Sequence, residues 1–160
     1  MSHTVQLRIA DQSDAEKITA LINSAFRQAE EFFVDGDRVS LDEVRELLRT
    51  GSFLLADEEG KLSGCVYVEP RGKRGYLGLL SIASSRQQSG LGSLLMMAAE
   101  DYCRGVECRF MDVKVVNLRK ELPDFYRRRG YVETGTSPFP EHVETKLPCY
   151  FIDMSKSLSE

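Results

Sequence analysis

Residues 76–102 read YLGLLSIASSRQQSGLGSLLMMAAEDY. The stretch from Tyr76 to Ala83 is a short apolar run, consistent with a strand buried in a sheet. After Gly90, residues Leu91, Leu94, Leu95, Ala98, Ala99 and Tyr102 recur at helical spacing. Between them, Arg86 to Leu95 (RQQSGLGSLL) holds two glycines one residue apart. Glycine lets a backbone approach another group closely, and the free N–H groups of a helix start favour an anion. A further strand, Phe110 to Val116 (FMDVKVV), follows the helix. A strand–helix–strand unit of this kind implies one parallel strand pair joined by a right-handed crossover.

The rest of the chain builds around that unit. Val5 to Ala10 alternates in polarity and reads as a first strand. Ser13-Asp14-Ala15-Glu16 reads as a capping box. The helix it opens carries Ile18, Leu21, Ile22, Ala25, Phe26 and Ala29 at helical spacing. Glu30 to Arg38 is polar and reads as a loop, and Leu41, Val44, Leu47 and Leu48 mark a short helix closed by Gly51. Phe53 to Ala56 and Leu62 to Val68 are strands joined by a turn at Asp57 to Lys61, and a turn at Pro70 to Gly75 leads into Tyr76 to Ala83. These three strands form an antiparallel meander. A short helix at Pro123 to Arg129 is stopped by Gly130. Tyr131 to Thr134 and Cys149 to Met154 are the last strands, separated by a loop from Gly135 to Pro148. The expected fold is α/β (α+β), a mixed, mostly antiparallel sheet with helices on both faces. It forms a single domain over 1–160 with its core at about 5–155.

Composition narrows the function classes. The chain has 160 residues, 42% hydrophobic and 29% charged, with a formal net charge of −4. That balance argues against bulk electrostatic binding of nucleic acid. No apolar run is long enough to span a membrane, and MSHTVQLR lacks the apolar core of a signal peptide. A cytoplasmic location follows as the expectation, and a homodimer stays open. Cys65, Cys103, Cys108 and Cys149 form no C-x-x-C pair, so they read as buried thiols, with no metal site expected.

The glycine loop is not a P-loop, because no lysine follows Gly92. Nor is it a dinucleotide fingerprint, because Leu95 stands at the third glycine position. What remains is a row of N–H groups from Gln88 to Ser93, suited to a pyrophosphate. On the glycine pair alone, a helix start that binds nothing is an equal reading.

Two motifs together go further. Gln87 to Gly92 reads Q-x-x-G-x-G, and Phe125 to Tyr131 reads FYRRRGY. With the polar start Asp11 to Ala15 and the element order, the chain resembles the GNAT N-acetyltransferase superfamily from about Leu7 to about Met154. The resemblance implies that Gln87, Gln88, Ser89, Gly90, Leu91, Gly92 and Ser93 hold the pyrophosphate of acetyl-CoA. It implies that the pantetheine arm pairs with backbone groups of Leu80, Ser81 and Ile82 between splayed parallel strands, a ligand adding itself to a sheet. A backbone N–H near Ile82 would stabilise the oxyanion. Tyr126 falls on the family's general-acid tyrosine, which would protonate the departing thiolate.

Two departures accompany the resemblance. Many relatives carry a glutamate on the strand before the loop, but Leu77 to Ile82 holds no carboxylate. Glu69 is the candidate base, ahead of Asp112 and Glu133. Many relatives also place an asparagine seven residues before the tyrosine, where this chain has Arg119, with Asn117 two residues earlier. Asn117 and Arg119 are therefore both candidates for contact with the cofactor. Arg127, Arg128 and Arg129 read as cations at a helix C-terminus. The acceptor site would be built from Gln28 to Arg38 and Gly135 to Pro148. Glu31, Phe32 and Phe33 there suit a cationic amine on a small molecule, peptide or protein, with Phe139, His142 and Tyr150 as wall residues. The implied activity is acetyl transfer from acetyl-CoA to a primary amine. A non-catalytic acyl-CoA-binding or sensing module on the same fold is the alternative.

Overall fold

The computed structural model describes residues 4–87 and 89–159. In chain order the elements are β1 (Val5–Ile9), α1 (Ala15–Glu30), α2 (Leu41–Thr50), β2 (Ser52–Glu58), β3 (Lys61–Arg71), β4 (Arg74–Ile82), α3 (Leu91–Gly105), β5 (Phe110–Val116), α4 (Leu122–Arg127), β6 (Val132–Pro138) and β7 (Tyr150–Ser157). Single 3-10 turns precede α1 and α3.

Alternation in the two central strands sets the layers. In β2, Phe53 and Leu55 face one way while Leu54 and Ala56 face the other. In β3, Cys65 and Tyr67 stand opposite in direction to Val66 and Val68. All eight are buried, so both faces of the sheet need cover. Ile18 and Ile22 of α1 and Val44 of α2 pack on the first face, and Leu95, Met96 and Ala99 of α3 on the second. A third cluster of Phe33, Val34, Val116 and Val143 lies under the α1–α2 connection. No helix among the described residues is long and apolar enough to cross a membrane.

The seven strands are ordered β1-β2-β3-β4-β5-β7-β6, with β4–β5 the parallel pair. The mixed sheet and helical faces agree with the expected fold class. Several local expectations change: the β2–β3 turn shrinks to residues 59–60, Glu30 ends α1 instead of opening a loop, and three further changes follow. The reciprocal cap before α1 is Asp11 with Asp14, two residues earlier than the expected box. The Asp11 carboxylate accepts from Ser13 N–H at 2.9 Å, and the Asp14 carboxylate accepts from Asp11 N–H at 3.0 Å. Ionised caps suit a helix start, and Asp14 is further held by Arg8 at 2.8 Å. Second, Pro70 and Gly75 are partners in the β3–β4 ladder, so that turn shrinks to residues 72–73. Proline is tolerated there because β2 begins opposite Val68 and leaves that edge of β3 unpartnered. Third, β6 runs on to Pro138, paired with Tyr150 of β7.

The feature that makes a site is a split in the sheet. β4 and β5 pair only at Arg74–Leu77 with Phe110–Val113. Beyond that point β4 stays with β3 as far as Ile82, and β5 stays with β7 as far as Val116. Leu79 sits at an irregularity in the β3–β4 register with φ +52°. A leucine in the left-handed region is strained and bends the strand.

Candidate active site

The wedge between the parted strands opens into a cavity of about 760 Å³. Its walls are Gly78–Ile82 on one side and Lys114 and Val116 of β5 on the other. The start of α3 and one side of α4 close one end, and the last turns of α1 close the other.

The α3 end is built for an anion. Gly90, at φ +87°, is the N-terminal cap, a left-handed conformation that glycine adopts without steric cost. Leu94 N–H donates to Gly90 O at 3.1 Å. The N–H groups of Leu91, Gly92 and Ser93 precede that first helical bond and have no partner among the described residues. Gln87 Nε2 donates to Ile82 O at 3.1 Å and Ser89 Oγ to Arg86 O at 2.5 Å, which holds the loop shut against β4. Arg129 fastens α4 to the same helix start. Its Nη2 donates to Ser93 Oγ at 2.6 Å and its Nη1 to Phe125 O at 2.7 Å, with the guanidinium 3.6 Å from the Phe125 ring centroid. Burial, with the neighbouring Arg128 charge, pulls the Arg129 pKa below the usual arginine range. Two cations held together against their repulsion, beside a bare helix start, are matched by a multiply charged anion. Arg128 and Arg129 line the cavity, so the residues present fit a pyrophosphate; Arg86 lines it too but is paired with the buried carboxylate of Glu58 at 2.7 Å.

Tyr126 lines the same cavity. It is 8% exposed, edge-on to Phe125 at 5.2 Å and to Tyr131 at 5.6 Å. Tyr131 is itself pinned by a 2.8 Å bond to the buried carboxylate of Glu100, which Lys156 Nζ also reaches at 2.9 Å. The Tyr126 hydroxyl has no hydrogen-bond partner among the described residues. Burial pushes its pKa to about 12.

The opposite end holds a buried carboxylate. Ile18, Ile22, Phe26 and Glu30 succeed each other at four-residue intervals along α1, so Glu30 falls on the stripe that faces inward. It is 3% exposed and lines the cavity. Its Oε2 accepts from Arg119 Nη1 at 3.2 Å, while its Oε1 is buried with no partner. Burial outweighs the neighbouring Arg119 charge and raises the Glu30 pKa above the usual carboxylate range. Arg38, Phe26 and Phe139 complete this end.

Several candidate residues lie elsewhere. Glu69 does not line the cavity. Its oxygens accept from Arg71 Nε at 2.5 Å and Tyr67 Oη at 2.5 Å, and the Arg71 bond holds its pKa below the usual range. A carboxylate so satisfied is a poor proton acceptor. Phe33 is 0% exposed and belongs to the third core cluster, while Phe32 is 53% exposed. Neither lines the main cavity, and Glu31 lines only a smaller one of about 160 Å³ beside it. Asn117 fastens β5 to β7: its Oδ1 accepts from Tyr150 N–H at 2.8 Å, so it too is away from the cavity. His142 meets Glu43 at 3.2 Å and Asp112 is bound by Arg74. Glu133 is engaged by Arg127. Leu80, Ser81, Ile82, Gln87, Ser89, Gly90, Leu91, Gly92, Ser93 and Arg119 line the cavity, and Phe139 forms part of its wall. Gln88 falls outside the described residues. The buried role of Glu30, and the cavity positions of Arg38, Arg128 and Arg129, are additions to the sequence reading.

The acetyltransferase (GNAT) family model matches residues 16–131. Among solved structures, Ard1 from Thermoplasma volcanium superposes with a TM-score of 0.77 at 19% identity, over 98% of this chain and 99% of that one. The ribosomal-protein-alanine N-acetyltransferase from Brucella melitensis gives 0.76 at 18% identity, over 95% and 99%. The yncA protein of Salmonella typhimurium, solved with its cofactor acetyl-CoA, gives 0.73 at 21% identity, over 98% and 95%. At these identities the likeness is one of fold.

Proposed function

The chain belongs to the GNAT acetyltransferase family of acyltransferase enzymes, and from that premise we propose that it moves an acetyl group from acetyl-CoA to a primary amine by direct attack. The supporting observation is that an anion-ready helix start, a protonated tyrosine and a proton-hungry carboxylate line one cavity between parted strands.

The N–H groups at the start of α3, with Arg128 and Arg129, would hold the pyrophosphate. The edge of β4 at Leu80, Ser81 and Ile82, which β5 leaves beyond Leu77, would hold the arm. When bound, the thioester supplies an acetyl group activated for attack by nitrogen. Glu30, through its unpartnered Oε1, takes the proton that the attacking nitrogen must lose. Tyr126, still protonated throughout the neutral range, gives its proton to sulfur as the thiolate departs. One C–N bond forms, one C–S bond breaks, and one proton crosses from each side. Glu30 replaces Glu69 as base and supplies the carboxylate that β4 lacks, which favours an enzyme over a sensing module. The acceptor is a small molecule or a peptide or protein amine. The unpaired thiols of Cys65, Cys103, Cys108 and Cys149 suit a reducing compartment such as the cytoplasm.

Thiol release and thermal unfolding, read side by side, test the assignment. Tyr126→Phe should lower kcat about 100-fold while the stabilisation by acetyl-CoA stays as in the unaltered protein. Unchanged turnover would remove Tyr126 from the mechanism.

A further inference from the structure

The acceptor end of the cavity carries two buried polar atoms with no partner, and they have opposite charge. Glu30 Oε1 is one and Arg38 Nε is the other. Arg38 is not a loose surface cation. The oxygen of the Asn23 amide accepts from Arg38 N–H at 2.9 Å and Val39 N–H at 3.0 Å, and its Nδ2 donates to Val39 O at 2.9 Å, which fixes the backbone. The guanidinium lies 5.6 Å from the Phe26 ring centroid and 5.2 Å from that of Phe139. Among the described residues no carboxylate comes within ion-pair distance of it, although the chain has 25 Asp and Glu residues.

A buried donor and a buried acceptor, each unmatched, are expensive unless a ligand matches them. A simple hydrocarbon amine would satisfy Glu30 and leave Arg38 bare. A polycation would meet Glu30 but be repelled by both Arg38 and Arg119, which also lines the cavity. A molecule carrying an amine and a carboxylate satisfies both: nitrogen toward Glu30, carboxylate toward the guanidinium fork. We propose that the acceptor is an amine bearing a carboxylate, of the free amino acid class, with Arg38 as its specificity-determining contact. This rests on the acetyl-transfer reading and reverses the cationic acceptor suggested by the acidic composition of residues 30–37.

The test compares free amino acids with their own carboxamides and decarboxylated amines, using acetyl-CoA and thiol release on the full chain. Thermal unfolding with coenzyme A runs in parallel. The free acids should show kcat/KM at least tenfold above their amides. Arg38→Gln should raise the acceptor KM about 10- to 100-fold, the range for a lost charge-assisted bond, with the KM for acetyl-CoA unchanged. Arg38→Lys, which keeps the charge and loses the fork, should restore part of the preference. Amides, amines or peptide N-termini turned over as well as the acids would overturn the inference and leave acetyl transfer standing. So would turnover of none of the acids while coenzyme A still stabilises the protein. No stabilisation by coenzyme A and no thiol release with any acceptor would overturn the acetyl-transfer reading, and this inference with it.

Discussion

Burial acts on Glu30 and Tyr126 in the same direction, and in the proposed mechanism it equips them for opposite tasks. It raises both pKa values, so the carboxylate holds a captured proton better and the phenol keeps its own until pH approaches 12. Activity should therefore fall on the acid side, as Glu30 takes a proton at a pH above the ordinary carboxylate range. Glu30→Gln should lower kcat/KM by about 10²–10⁴ and flatten that acid limb. A pH–rate profile of both proteins checks this. The stability sign is the reverse. A raised pKa in the folded state means that Glu30 favours folding below its unfolded pKa and loses that contribution as pH rises through the folded value. The Gln variant should therefore unfold at neutral pH no more readily than the unaltered protein, apart from what Arg119 loses. Glu30 could have been read from the sequence, because it continues the Ile18, Ile22, Phe26 series. The acidic residues that follow it mask that continuation. Glu69 could not have been set aside that way, because its engagement by Tyr67 and Arg71 depends on side chains sharing one face of β3.

The start of α3 is where ligand binding and helix stability pull apart. Gly92 lines the cavity, and the nearest atom to a Cβ placed there is Phe125 Cζ at 3.8 Å, so a small side chain fits. Gly92→Asp would put a carboxylate in the first helical turn, which favours the helix by about 0.3–1 kcal/mol before any gain in propensity. The same charge would face the proposed position of the pyrophosphate. The melting temperature should hold or rise, and the stabilisation by coenzyme A should largely vanish. Equal stabilisation of both proteins would move the anion away from this loop. This element was legible because a glycine pair between an apolar run and a helical repeat has few physical readings. The length of the β4–β5 pairing was not legible. It depends on Leu79 adopting a left-handed φ, a cost that only the surrounding sheet can impose.

At the scale of the whole molecule, the fold class followed from one crossover unit plus alternation in the strands. The edges of elements and the boundary of the acceptor site did not, because they depend on which loop side chains are drawn into the third cluster. Ligand binding should register as global stability. At 100 times its dissociation constant acetyl-CoA should add about 2.7 kcal/mol, or roughly 5–11 °C in a chain of this size. ATP, which lacks the arm proposed to pair with β4, should add less, and equal shifts would argue against the strand-edge assignment. The split sheet has a mechanical meaning as well. β1 to β4 form one plate and β5, β7 and β6 another, joined along four residue pairs. At the closed end Arg74 rivets the plates together, reaching Asp112 at 2.6 Å and Ser155 at 2.9 Å. The two plates are thus tied at Arg74 and stand apart at Gly78–Ile82 and Lys114–Val116. A change at Arg74, which does not line the cavity, should therefore alter what the parted strands hold.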